Sequence, residues 1–263
     1  FLMLSWIVLV FIMDKPEWPL IPAFIVYLLI NALIFRSYTL GAIGNYWYTI
    51  KHFTKAYGYF EKAVNSGTHH VKALYLHALK LLQDGKGEEA LKYFERAEKY
   101  NFNVLMEKYI TVSKSSCYWI MGDIDKANSL LEGLMKKFSY ISTDAYTTLG
   151  YLYYLKDDLE KAEIYTNKAI EDNDEHSPAW DNLGQIYYKK GEVQKAKEYF
   201  EKAISFKDIV DSLYFMGRIS EDEGNIKEAE EYYERALKCN ISALNTVTEE
   251  EIKNRLTALR RKI

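Results

Sequence analysis

Apolar and polar positions change character once along this chain, near residue 36. Upstream, the sequence is almost unbroken apolar: residues 1–35 carry only three charges, Asp14, Lys15 and Glu17. Two runs stand out, Phe1–Met13 and Leu20–Phe35, separated by DKPEWP. The two prolines and three charges of that stretch make it a turn. A bilayer core takes about 20 apolar residues per helix, with a floor near 17. The second run is just short of that and extends past Arg36, whose long side chain can snorkel to the interface. The first run is shorter still. The pattern predicts a transmembrane helical hairpin over residues 1–36. A secretory signal peptide is the main rival; it would want a basic leading region and a small-residue cleavage site, and neither is visible. A buried pair of soluble helices is the other, weakened because these helices are apolar on every face.

Charge bias sets the expected orientation. The short loop has one lysine, Lys15, whereas Arg36, Lys51, Lys55 and Lys62 follow the second run. The region after the hairpin is therefore expected on the cytoplasmic side, with Trp18 at the far interface.

Downstream of residue 37 the pattern becomes helical and repeats. In Ser177–Asp208, Trp180, Leu183, Gly184 and Tyr187 share one helical face. Gly191 marks a tight turn, and Ala196, Phe200 and Ala203 follow. The same order stands 34 residues earlier in Tyr146, Leu149, Gly150, Tyr153, Ala162 and Ala169. It stands 33 residues later in Met216, Gly217, Gly224, Ala229, Tyr233 and Ala236. Leu74, Ala78, Leu81, Gly85, Ala90, Phe94 and Ala97 form another copy. Weaker copies hold Tyr118, Gly122, Ala127, Leu131 and Leu134, and Gly44, Trp47, Ala56, Phe60 and Ala63. Gly184 is expected to let a paired helix approach closely, and the alanines are small where the second helix crosses the first.

This order resembles the tetratricopeptide repeat, W-x2-L-G-x2-Y followed by Ala, Phe and Ala. The resemblance covers about four fifths of the chain and gives six repeats: 37–70, 71–107, 108–142, 143–176, 177–209 and 210–243. The usual proline near the end of each repeat is missing, and the leading tryptophan survives only at Trp180. Residues 244–263 are expected to end the array in a capping helix. Thr248 and Glu251 make a capping box there, and Ile252, Leu256, Leu259 and Ile263 form one stripe. Acidic residues at its start and basic residues at its end suit the helix dipole. The expected fold is all-α: a tetratricopeptide-type solenoid of helical hairpins behind a membrane hairpin.

The resemblance also implies a right-handed superhelix whose inner groove is lined by the first helix of each repeat. Family contact positions then nominate Tyr75, Leu79, Ser113, Ser116, Trp119, Thr148, Tyr151, Tyr154, Asn182, Gln185, Tyr188, Phe215 and Arg218 as peptide-groove residues. A known subclass grips a C-terminal carboxylate with a Lys/Asn/Arg clamp. That set is absent; Asn182 and Lys189 are its nearest remnants, and Asp181 beside them opposes an anionic ligand. The groove reads as aromatic and amide-rich, suited to an extended or helical peptide with apolar anchors. Many of the 23 tyrosines are instead expected to pack between neighbouring repeats.

Composition narrows the chemistry. The chain has 263 residues, 27% of them charged, with net charge −3. No basic excess points to nucleic acid. Cys117 and Cys239 are far apart and fit neither a disulfide framework nor a zinc pattern; both read as small buried hydrophobes in a reducing compartment. His69, His70 and His77 lack a Cys or carboxylate at ligand spacing, so no metal is expected. No phosphate loop, nucleotide fingerprint or nucleophile elbow occurs, so neither enzymatic activity nor a cofactor is expected. The expected function is a membrane-anchored adaptor for protein or peptide partners. A chaperone-like or quality-control module serving a membrane machine or protease is the alternative. Self-association through the hairpin is a further expectation.

Overall fold

The computed structural model describes residues 25–31 and 35–261, and all regular structure among them is helical. The run Phe1–Met13 and the DKPEWP turn lie outside the described residues. Helix α1, Ile25–Asn31, and helix α2, Arg36–Thr49, are bent by 84° relative to each other. Among the described residues no single helix is long and apolar enough to cross a membrane; α1 and α2 meet that test only as a bent pair. The described part of the second apolar run is thus a helix of about 10 Å, not one continuous span.

The helices from α2 onward come in pairs. The first pair is α2 packed on α3 (Phe53–Asn65); α4 (Val71–Gln83) and α5 (Gly87–Ala97) follow as the second pair in chain order. Then follow α6 (Val104–Ile120) with α7 (Ile124–Lys137), and α8 (Thr143–Leu155) with α9 (Leu159–Asp172). The last pairs are α10 (Ser177–Lys189) with α11 (Val193–Phe206), and α12 (Val210–Asp222) with α13 (Ile226–Lys238). Helix α14, Glu249–Arg260, closes the series, with the expected capping box of Thr248 and Glu251 in place. The third pair begins before the boundary read from sequence at 108. The Asn103 side chain accepts the Met106 N–H at 2.9 Å and starts α6 at Val104, an N-cap that satisfies an otherwise orphaned donor.

Two local rules build the pairs, the first in all six and the second in four. The turn between partners carries one residue with φ between 62° and 83°: Gly85, Gly122, Gly191 and Gly224, but also Lys51 and Asp157. Glycine reaches that region without a Cβ penalty. The second rule is a contact sixteen residues apart. Gly44 meets Phe60, Gly150 meets Thr166, Gly184 meets Phe200, and Gly217 meets Tyr233. The missing side chain on the first helix is the slot into which the second helix places its largest or best-buried group.

The chain divides into two compact bodies, Phe1–Ala78 with Glu95–Asn101, and Leu79–Phe94 with Phe102–Ile263. In the first body, Ala56, Phe60 and Ala63 are fully buried. The Arg96 guanidinium donates to the Thr68 carbonyl at 2.8 Å. His69 stacks on Tyr100 and His70 meets the Tyr38 ring edge-on. In the second body one core runs through Phe200, Leu213, Met216, Ile219, Tyr233, Ile252 and Leu259, so α14 completes the core of the last pair. Another joins Leu131, Leu149, Leu152, Leu183 and Ile186 across α7, α8 and α10.

Candidate functional site

The first helices of three successive pairs put one face of each on a shared cavity in the second body. It measures about 340 Å³. Helix α6 contributes Ser116 and Trp119; α8 contributes Thr147, Thr148 and Tyr151; α10 contributes Pro178, Asp181, Asn182 and Gln185. Ile209 and Asp211 close one end, and Leu244, Asn245 and Thr246 form a wall. Six residues nominated from the sequence therefore meet here: Ser116, Trp119, Thr148, Tyr151, Asn182 and Gln185.

The aromatic residues form a row. Trp119 meets Tyr151 edge-on at 4.9 Å between ring centres, and Tyr151 stacks on Tyr154 at 5.8 Å. The Lys189 ammonium lies over the Tyr154 ring at 4.8 Å. Burial pushes the Tyr151 and Tyr154 hydroxyls above their ordinary pKa, so both remain neutral donors. Tyr188 and Phe215 pack together further along, but Phe215 stacks on Phe200 and belongs to the core. Arg218 approaches the Tyr214 hydroxyl at 3.5 Å. Ser113 is buried on α6, and Tyr75 and Leu79 are half-buried on α4; none of the three lines the cavity. Other tyrosines pack between successive pairs, as expected. The Tyr153 hydroxyl donates to Glu132 and that of Tyr187 to Glu163, each at 2.6 Å.

Two of the lining residues are aspartates, Asp181 and Asp211, 5% and 6% exposed. Asp181 accepts from the Gln185 amide at 2.8 Å and from the Ser212 hydroxyl. Burial, then the charge of Asp211, raises its pKa above the usual carboxylate range. Burial also raises Asp211, opposed by donors from Asn245, Val247 and Thr246. Nearby, Asn182 donates its amide to the Thr147 carbonyl at 2.9 Å and ties α10 to α8.

The wall of the cavity is the connection from α13 to α14. The Asn245 amide donates to one oxygen of Asp211 at 3.1 Å, and the Val247 N–H donates to the other at 3.0 Å. The Thr246 hydroxyl donates to the Gln185 carbonyl oxygen at 3.1 Å. It lies 3.0 Å from the Tyr151 hydroxyl. Thr246 has one proton, already given to Gln185, so Tyr151 is the donor in that contact. The Ala243 N–H donates to the Gln83 carbonyl at 2.9 Å.

Sequence reasoning missed Asp211, Ile209, Thr147 and this connection, and saw Asp181 only as a repeller of anions. A usable signal was present: residues 239–248, CNISALNTVT, carry no charge between two strongly charged helices. Among the described residues no group of three His, Cys, Asp or Glu could hold a metal ion.

Stacked two-helix units with a first-helix face turned to one cavity define a helical-hairpin repeat protein. The family model of the tetratricopeptide repeat matches residues 177–207, and a second model of that family matches 143–173 and 210–240. These three segments therefore match the tetratricopeptide repeat. A tetratricopeptide repeat protein from Parabacteroides merdae superposes with a TM-score of 0.68 at 14% identity, over 97% of this chain and 99% of that one. A thermophilic TPR protein of Thermus thermophilus gives 0.59 at 19% identity, over 73% and 99%. PilW, a type IV pilus biogenesis factor, gives 0.58 at 16% identity, over 84% and 98%. At these identities the likeness is one of fold. A search of curated proteins finds no match.

Proposed function

We propose that this chain is a membrane-anchored scaffold that holds protein or peptide partners on its first-helix face and performs no chemistry itself. The observation that carries the binding part is the convergence of Trp119, Tyr151, Asn182 and Gln185, from the first helices of three successive pairs, on one cavity. Rigid aromatic rings give large contact area at low entropic cost, and amides supply hydrogen bonds. The anchoring part rests on the two apolar runs in residues 1–35, and the cytoplasmic orientation rests on the charge bias after them.

Affinity capture from detergent extract tests the binding part. The full chain should return a partner that the double variant Trp119→Ala/Tyr151→Ala, with an unchanged helical spectrum, loses. Capture that is identical with both chains removes this face as the docking site. Extraction of membranes at alkaline pH tests the anchor separately: the chain should stay with the bilayer, and protease added to sealed vesicles should identify the side. A chain released by alkali ends the anchoring reading alone.

A further inference from the structure

The connection from α13 to α14 is tied at both ends by packed helices, yet it does not loop outward into solvent. It crosses the first-helix face, and its bonds to that face are those of a ligand. Two main-chain N–H groups are used, Val247 on the Asp211 carboxylate and Ala243 on the Gln83 carbonyl. Two side chains are read as well, the Asn245 amide by Asp211 and the Thr246 hydroxyl by Gln185 and Tyr151. Every group on the receiving side is an acceptor or a neutral hydroxyl. A carboxylate in the ligand would face Asp181 and Asp211, so the site selects against acidic segments.

We propose that this face recognises an uncharged peptide turn bearing an amide side chain directly followed by a hydroxyl side chain, and that Ser242–Val247, in which the Asn245 N–H donates to the Ser242 carbonyl, is the chain's own copy of that ligand. This deepens the scaffold reading and rests on it. A partner segment of the same chemistry binds by exchanging with the internal copy. The internal copy has the advantage of a short tether, which gives an effective concentration on the order of millimolar. The unaltered chain therefore admits an external peptide only weakly.

The test uses the full chain in detergent and a fluorescent peptide spanning Asn240–Thr248. Weakening the internal copy with Asn245→Ala/Thr246→Ala should raise affinity for that peptide about tenfold or more, by removing the tethered competitor. The same two changes made in the peptide should abolish binding, as should Asp211→Ala in the weakened chain. Thr246→Val, which keeps the side chain's shape, serves if the double variant does not fold; it should raise peptide affinity in the same direction. Hydrogen exchange of the unaltered chain supplies an independent measure: the Ala243 and Val247 amides should be protected. Exchange at free-peptide rates, or a folded weakened chain that binds the peptide no better than the unaltered one, overturns the proposal. The scaffold reading fails differently. If the weakened chain binds the peptide but no cellular partner is captured, that reading falls and the recognition stands. If partners are captured through Trp119 and Tyr151 while the peptide never binds, the reverse holds.

Discussion

Gly184 and Phe200 fit against each other so closely that a Cβ at position 184 would lie within 3.0 Å of three carbons of the ring. The ring is fully buried and cannot swing away. Gly184→Ala should therefore destabilise the second body by about 1–3 kcal/mol, the usual cost of overpacking. Gly133 is the internal control. It is exposed on α7 with nothing within 4 Å of an added Cβ, so Gly133→Ala should stabilise by about 0.5–1 kcal/mol through helix propensity. Denaturant titrations that move the two midpoints in the same direction would contradict the packing just described.

Thr166 occupies the slot that Phe60, Phe200 and Tyr233 fill in other pairs, and its fully buried hydroxyl has no hydrogen-bond partner within the protein. An unpaired buried hydroxyl costs about 1–3 kcal/mol. Thr166→Val removes it with little change of shape and should raise stability by about 1 kcal/mol. Thermal melting of the two chains side by side would show it.

The paired aspartates make stability depend on pH. Both carboxyls have raised pKa values because burial disfavours their ionised forms, and Asp211 adds repulsion at Asp181. A raised carboxyl binds its proton more tightly in the folded chain than in the unfolded one. Its contribution is present below the unfolded value, near about 4, and is lost as pH rises through the folded value. Asp181→Asn should flatten that decline. An amide at 181 can donate to Gln185, which turns over and passes the direction on to Thr246 and Tyr151, so the network survives reversed. Melting temperatures at about pH 5 and pH 8, on either side of the raised values, should converge in the variant; an unchanged gap would locate the pH dependence elsewhere.

Cys117 is fully buried, and burial pushes its thiol up to about 12. The reactive thiolate is therefore scarce there at neutral pH. Cys117 should resist alkylation in the folded chain and react at once in denaturant, which mass spectrometry of the modified peptides would resolve. Rapid labelling under native conditions would mean that α6 opens often.

What the sequence made legible follows from how local the causes are. Helix pairing could be read because the Gly184-to-Phe200 rule recurs at Gly150, Gly217 and Gly44 with constant spacing, and a spacing is visible in one dimension. The first-helix candidates Ser116, Trp119, Thr148, Tyr151, Asn182 and Gln185 converge because position within a repeat fixes direction. Phe215 shares that position and is nevertheless core, because the ring of Phe200 lies against it. The connection that crosses the face was not legible. Its bonds join Thr246 to Gln185, Val247 to Asp211 and Ala243 to Gln83, and no periodicity announces contacts between such distant residues. Asn103, which starts α6 at Val104 ahead of the expected boundary at 108, shows that a single capping side chain outranks the period in placing a helix end.

The bond from the Ala243 N–H to the Gln83 carbonyl spans most of the second body's sequence. Arrays of this kind ordinarily fray from their ends, because each repeat leans only on its immediate neighbours. Here the last pair cannot peel off without also releasing the segment around Gln83. That tie turns a row of loosely coupled hairpins into a bow held by its string: its outer members share the load, and this body should come apart in one step rather than link by link.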